Sequence, residues 1–481
     1  MKYYLSAFLL CSLVNVSQVN NYYFGNLHAH TAFSDGNKDS LISGITDPAG
    51  SYAYAKLSND FDFLGVSEHN HYSSLRNPGF KLPRYQTGLS MANAANEDGV
   101  FVSMFGMEYG VSSSYHGHVI IYGFNQLIGW ETSVPGVNGN NYDLFNGKDD
   151  YDGLFKKVKN NPNAFCYLAH PWYSDYSPDG TSSGGVANAA YNATYDSAIV
   201  GMPLRNGLAT SSLSTYNDYS TGNYFDYYRK MLAIGYHLGI GYDHDSHYSN
   251  FGRSNGGRLV IIAPALTPAN IVLAMQKMHF YGSDDSNAKI EFTLNNNIMG
   301  SIVTGTDNPT FNVIHNDPDG EQADSIKIWR GFGNNAFGIW SSVVLTTIQN
   351  NTATYTDLTA VTNTEYHYFA EIRQADGQWI VTSPIWYTKT PSAVVNSGGE
   401  FNKSAFKFNC FPNPVKQNLS ISVSECGDYT LSVSDLSGRA VLTTCFNELG
   451  CTIDLSTLER GVYTLKIENK RKVLFEKLII E

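Results

Sequence analysis

Three H-x-H triplets stand out in this 481-residue sequence: His28/His30, His69/His71 and His116/His118. On an extended strand, residues two apart project to the same face, so each triplet presents two imidazoles together. Carboxylates accompany them. Asp35 lies five residues past His30, Glu68 adjoins His69, and Glu108, His170, Asp245 and His247 each follow an apolar run. Histidine and carboxylate ligands without cysteine suit Zn²⁺, Mn²⁺ or Fe²⁺. A single carboxylate among several imidazoles can bridge two such ions, an arrangement used for phosphoester hydrolysis.

The elements that must position these groups are short apolar runs at Tyr22–Leu27, Phe61–Ser67, Val100–Met107, His118–Phe124, Phe165–Ala169, Leu238–Tyr242 and Leu259–Ala263. The segments between them are long enough for helical crossovers, which predicts a parallel sheet or a β/α barrel. In such a barrel, residues just past the strand C-termini converge on one mouth. A late helix is predicted over Thr267–His279, with Pro268 near its start. From residue 288 the pattern changes to brief alternating runs: Lys289–Leu294, Thr310–His315, Ser325–Trp329, Thr352–Tyr355, Glu365–Arg373 and Ile385–Thr388. These predict an antiparallel sandwich. After a linker rich in Ser, Gly and Asn, further strands are expected at Leu419–Val423, Asp428–Ser434, Ala440–Phe446 and Gly461–Glu468.

Hydrophobic residues make up 42% and charged residues 15%, which excludes a disordered chain or a coiled coil. No apolar run approaches the ~18–20 residues of a membrane-spanning helix. With 31 basic against 43 acidic residues the net charge is −12, so no broad basic surface for nucleic acid is expected. Lys2 followed by an apolar stretch from Leu5 to Val14 reads as a secretory signal peptide over 1–20. Cys11 would leave with it, and Cys166 sits in an apolar run as a buried thiol. The remaining four, Cys410, Cys426, Cys445 and Cys451, crowd into a small exported domain and predict two disulfides.

In order and spacing, the segments His28-Ala29-His30-Thr31-Ala32-Phe33-Ser34-Asp35-Gly36, Glu68-His69, Glu108, His118, His170-Pro171 and Asp245-Ser246-His247 resemble the signature motifs of the PHP (polymerase and histidinol phosphatase) family over residues 22–284. That resemblance implies a distorted seven-stranded β/α barrel with two or three divalent ions (Zn, Mn or Fe). It implies that His28, His30, Glu108 and Asp245 hold one ion. Glu108 bridges to a second with His118 and His170, and Asp35, His69 and His247 hold a third. The family usually has Asp-His where this chain has Glu68-His69, and the carboxylate there supports the site without ligating. Arg253, six residues past His247, is the candidate for a substrate phosphate. His71, His116 and His244 adjoin the candidates as supporting groups, proton donors to the leaving oxygen or, the better reading, bystanders, and Trp172, Tyr173 and Tyr176 are candidate pocket walls.

Residues 288–391 resemble a fibronectin- or immunoglobulin-type sandwich. The tail carries Phe411-Pro412-Asn413-Pro414, Asp435-Leu436-Ser437-Gly438-Arg439 and Gly461-Val462-Tyr463. It resembles the C-terminal sorting domain of type IX secretion, which implies secretion machinery as a partner. The expected organisation is a signal peptide (1–20), a PHP-like catalytic β/α barrel (21–287), a β-sandwich (288–391), a linker (392–403) and a sorting domain (404–481). The expected function is a secreted metal-dependent phosphoesterase with Glu108, Asp245 and Arg253 at the reacting group, cleaving a phosphorylated small molecule or a diester through a metal-bridged hydroxide. Two other classes stay open: a metal-dependent hydrolase of a non-phosphate bond, and a cell-surface binding protein with a relic barrel.

Overall fold

The computed structural model of the protein describes residues 21–57, 61–70, 82–110, 116–130, 142–177, 181, 184–333, 342–391, 408–423, 427–435, 438–469 and 473–481. The expected signal peptide, the linker, His71 and Cys426 lie outside these residues. The chain forms two compact units, divided between Ala393 and Val394.

The first unit opens with β1 (Asn21–Asn26), α1 (Ser40–Ser43), α2 (Pro48–Leu57), β2 (Phe63–His69), α3 (Leu82–Ala95), β3 (Val102–Tyr109) and β4 (His118–Tyr122). There follow β5 (Ile128–Gly129), β6 (Leu144–Phe145), α4 (Tyr151–Lys159), β7 (Phe165–Ala169), α5 (Ala193–Asp196), β8 (Ile199–Asn206), α6 (Phe225–Ile234) and β9 (Gly239–Asp243). β10 (Arg258–Ala263), α7 (Pro268–Gln276) and β11 (Phe280–Ser283) complete this stretch. α7 starts where its residues dictate: the Thr267 side chain accepts the Asn270 N–H, and Pro268 occupies the first turn, where it lacks no needed donor. β2 and β3 are buried at every position, so their sequences run apolar without alternation.

The expected seven-stranded β/α barrel does not form, and the chain is mostly β. Strand accounts for 43% and helix for 16%, whereas a barrel with a helix after each strand would be at least as helical as it is extended. The main sheet has fifteen strands, and its path β9-β8-β7-β4-β3-β2-β1-β10-β11 is mixed. β1, β2 and β3 are parallel, as are β7, β8 and β9, but β3/β4, β4/β7, β1/β10 and β10/β11 are antiparallel. The connection from Tyr109 to His118 is too short for the dozen or more residues that a parallel crossover needs, so β4 returns antiparallel. Among the described residues the sheet curls without hydrogen-bonded closure. Gly241 of β9 meets Gly282 of β11, where a Cβ on Gly282 would lie 2.2 Å from the Gly241 carbonyl oxygen.

Beyond β11 the sheet continues. β12 (Lys289–Leu294), β13 (Asn297–Ile298), β14 (Ile302–Gly305), β15 (Thr310–Asn316), β16 (Ala323–Phe332), β17 (Val343–Ile348), β18 (Thr352–Thr356), β19 (Glu365–Gln374), β20 (Trp379–Thr382) and β21 (Ile385–Lys389) follow. β20 pairs with β11, so the expected divide at 287/288 falls inside one compact unit. A separate sheet, β13-β12-β15-β18, shares a core with β16 and β19 through Ile290, Phe292, Phe311, Ile328 and Tyr368. β15 alternates buried and exposed residues, as its period-two sequence requires.

The second unit is all β: β22 (Phe408–Phe411), β23 (Asn418–Val423) and β26 (Gly450–Asp454) form one sheet. β24 (Tyr429–Ser434), β25 (Ala440–Phe446), β27 (Gly461–Glu468) and β28 (Val473–Ile480) form the other. Its core includes Leu419, Ile421, Leu431, Val433, Leu465 and Ile467. The two expected disulfides are corrected in part: Cys410, Cys445 and Cys451 do not bond to one another. Cys410 and Cys451 flank Ile421 on opposite sides, two strand spacings or about 9.5 Å apart. That exceeds the ~7 Å a disulfide spans. Cys445 lies in the other sheet.

Candidate metal centre

The strand ends bring nine predicted residues into one pocket. His28 and His30 follow β1, in a segment pinned to the loop after β9. The His30 N–H donates to the Ser246 carbonyl at 2.8 Å, and the Ser246 N–H donates to the His28 carbonyl at 3.2 Å. His69 ends β2 and sits in register with Glu108 of β3. His118 opens β4, and His170 and Asp245 follow β7 and β9 with φ of 30° and 50°. Such left-handed backbone is costly outside glycine.

Glu108 is fully buried and meets five imidazoles. Its Oε1 lies 2.6 Å from His118 Nδ1, 3.2 Å from His170 Nε2 and 3.3 Å from His28 Nε2. Its Oε2 lies 3.0 Å from His69 Nδ1 and 3.2 Å from His30 Nε2. Asp245 Oδ1 approaches His30 Nε2 at 3.0 Å and His28 Nε2 at 3.2 Å, and Asp35 Oδ1 approaches His247 Nε2 at 3.3 Å and His69 Nε2 at 3.6 Å. The donor atoms fall into three overlapping groups, each within 4.8 Å: His28, His30, Glu108 and Asp245; His69, Glu108 and His118; His30, Asp35, His69 and His247. His170 joins through Glu108 and through its ring, which lies 5.8 Å from that of His28 and 5.2 Å from that of His118. Access is from the side of Asp245 and His170, which are 20% and 28% exposed while the others are more deeply buried.

This donor set fits divalent cations. Were the imidazoles all protonated to match the carboxylates, six cationic rings would crowd around three anions, with His30 stacked on His69 at 4.4 Å and tilted to His247 at 4.5 Å. Divalent ions let neutral imidazoles point lone pairs inward instead. Two rings are already held for that role. His28 Nδ1 bonds Asp243 Oδ2 at 2.8 Å and His247 Nδ1 donates to the Asp245 carbonyl at 2.8 Å, leaving each Nε2 facing the pocket. Burial pulls His28 down, but Asp243, Glu108 and Asp245 outweigh it and hold the ring well above its ordinary pKa. Burial also opposes charge on Glu108, yet His118, His28 and His69 bring it well below the usual carboxylate range.

Other groups take supporting places. Buried Glu68 accepts from the Thr31 N–H and from the hydroxyls of Thr31 and Ser34, so it ties down the loop carrying Asp35. Arg253 rests against Tyr54, with its guanidinium 5.5 Å from the ring centre and Nη1 3.3 Å from the hydroxyl. His116 pairs with Asp149, and the His244 ring bonds the Gly257 carbonyl at 2.7 Å. Tyr176 is buried, its hydroxyl donating to the carbonyls of His118 and Ala169, whereas Trp172 is exposed. Sequence reasoning missed Asp243, hidden inside a strand beside His244. It also missed Asp175, which burial pushes up to about 6 despite His170 and His118 nearby.

Residues 409–481 match the secretion system C-terminal sorting domain. The protein is therefore exported to the cell surface or the extracellular space. None of the curated proteins compared with the chain matches it, and the PHP resemblance gains no support from the family comparison. Among solved structures, a biofilm-associated protein BSP domain is similar at 13% identity, with 41% of this chain and 30% of that one covered and a TM-score of 0.13. Fibronectin(III)-like modules of Clostridium thermocellum CbhA are similar at 11% identity, covering 39% and 92%, with a TM-score of 0.14. A tetra-tandem repeat from the extending region of a large adhesion protein is similar at 9% identity, covering 47% and 57%, with a TM-score of 0.15. Likenesses this slight assign neither fold nor function. No helix among the described residues is long and apolar enough to cross a membrane.

Proposed function

We propose that this exported protein is a metal-dependent hydrolase of phosphate esters. The observation that carries this reading is Glu108, a fully buried carboxylate met by five imidazole nitrogens at 2.6–3.3 Å. His28, His30, Asp35, His69, Glu108, His118, His170, Asp245 and His247 would hold two or three ions, Zn²⁺, Mn²⁺ or Fe²⁺. Such ions supply Lewis acidity and acidify water near neutral pH. The chain's own part is orientation: Asp243 fixes the His28 tautomer, Glu68 fixes the Asp35 loop, and the exposed edges of Asp245 and His170 leave room for a substrate. Arg253 is the candidate for a phosphoryl oxygen. The PHP resemblance supports the ligand assignment, not a barrel.

A second reading is a cell-surface binding protein whose strand-rich body does the work. The sorting domain favours it, since that domain delivers the chain to a surface and speaks to no reaction. The two readings separate in one experiment. The full chain, loaded with Mn²⁺ or Zn²⁺, is offered a chromogenic phosphate monoester and diester, with His28→Ala as control. Turnover that disappears in the control supports the hydrolase, and the ratio of the two rates sets the substrate class. Folded, metal-loaded protein that cleaves neither ester overturns it.

A further inference from the structure

Exposed apolar side chains stand on the loops that carry the imidazole pocket. Leu41 and Ile42 form the tip of α1 and are at least 92% exposed, with almost no neighbouring surface against them. α1 follows directly on the segment that carries Asp35, and the Lys38 N–H donates to the His247 carbonyl at 3.0 Å. Ser249 ties the same segment to the loop after β9, its Oγ donating to Asp39 Oδ1 at 3.0 Å. Next along that loop, the Asn250 carboxamide donates to the Leu213 carbonyl at 2.8 Å, and the Leu213 side chain is exposed. Trp172 follows His170 at the open edge of the pocket and is 67% exposed.

Apolar residues scattered singly over a surface need no explanation, but these lie on hydrogen-bonded neighbouring loops around one mouth. The charges at the tip are already answered. Lys38 Nζ lies 3.7 Å from Asp35 Oδ2 and Asp39 accepts from Ser249, so covering Leu41 and Ile42 leaves no uncompensated charge in an apolar medium. Shape decides what covers them. A protein partner gains most where an anchor fills a matching, fully desolvated pocket, whereas a free-standing aliphatic pair needs no such match to enter a fluid acyl boundary. Tryptophan favours the headgroup level of the same boundary. An amphiphile would cover the tip with its chains and bring a phosphate ester to the pocket beside it.

We propose that the α1 tip, with Leu213 and Trp172 around the mouth, docks on a lipid surface, and that the substrate of the pocket is a phosphate ester of a lipid presented there. The docking stands on the exposed residues alone, and the substrate assignment rests on the hydrolase reading. The net charge of −12 favours a zwitterionic surface over an anionic one.

The test floats the full chain, loaded with Zn²⁺, on unilamellar phosphatidylcholine vesicles beside the double variant Leu41→Asp/Ile42→Asp. The parent should rise with the vesicles at low and at high salt. The variant should bind at least a hundredfold more weakly, about tenfold or more for each side chain no longer buried. Because both side chains are exposed, the variant should keep the parent's unfolding temperature, metal content and turnover of the soluble chromogenic esters. Its turnover of vesicle phospholipid should fall in step with binding. A parent that stays in solution, or a variant that floats equally well, overturns the docking. So does a parent with twice the variant's mass in solution, since the tip would then cover a second copy. A parent that floats and cleaves the soluble esters but leaves the phospholipid intact overturns the substrate assignment and spares the hydrolase reading. If neither soluble ester nor phospholipid is cleaved, the hydrolase reading falls and takes the substrate assignment with it, while flotation still decides the docking.

Discussion

Glu108 and Glu321 are the same residue type in one compact unit, and their surroundings drive them in opposite directions. Glu108 sits among imidazoles and is held far below the usual carboxylate range, although burial alone would raise it. Glu321 sits among carboxylates, and burial and like charge act together to raise it to about 7. The first surroundings are mixed, nitrogen and oxygen, and suit a borderline transition ion. The second are acidic, and an amide answers them: Gln374 Nε2 donates to Asp317 and to Glu321. What differs is the company each strand end keeps: β1, β2, β4 and β7 bring histidines to Glu108, while β11, β19 and the β15–β16 turn bring acids and an amide to Glu321.

The comparison breaks most visibly at Glu108. Glu108→Gln keeps the volume and removes the charge that five imidazoles face. We expect the bound transition metal to fall by at least one ion per chain, by elemental analysis of the dialysed protein. Ester turnover should drop about a thousandfold or more, the equivalent of several kcal/mol of transition-state stabilisation. Retention of the full metal complement would show that Glu108 is a spectator.

A smaller effect is expected one step removed from the ions. Asp243 holds His28 through Nδ1, with both side chains buried. Asp243→Asn should weaken transition-metal binding by ~10–100-fold in competition with a chelator. The metal-stripped variant should unfold with the parent. If stripped Asp243→Asn unfolds much earlier, the residue is structural and its link to the metal is indirect.

How much of this was legible beforehand follows physical lines. The nine ligand candidates could be found because H-x-H spacing and strand-end carboxylates are local, and the fold brings all nine into one pocket. The strands around them were legible too, since β1, β2, β3, β4, β7, β9 and β10 are apolar runs. Their closure into a barrel was not. The short connection from Tyr109 to His118, which forces β4 antiparallel, is a length constraint outweighed in the sequence by the resemblance. β8 was hidden by Gly201 and Pro203, and β11 by its four-residue length. The acidic group escaped notice because Asp317-Pro318-Asp319-Gly320 reads as an ordinary turn. Its partners Asp285 and Gln374 are distant in sequence.

The smallest effect tests the sign of the contrast. A carboxyl whose folded pKa is raised binds its proton more tightly in the folded chain than in the unfolded one. Glu321 therefore contributes stability that is fully present below its unfolded pKa near 4.3 and is lost as the pH rises through about 7. The unfolding temperature of the full chain should decline over that window by slightly more than that of Glu321→Gln. Because Glu321 is only half-buried, solvent screening keeps the difference to a few tenths of a kcal/mol. Glu108→Gln offers the opposite control: a carboxylate held low loses its contribution as the pH falls, so its variant should differ from the parent at neutral pH and converge with it in acid. Parallel pH profiles for the two variants would erase the distinction between the two sites.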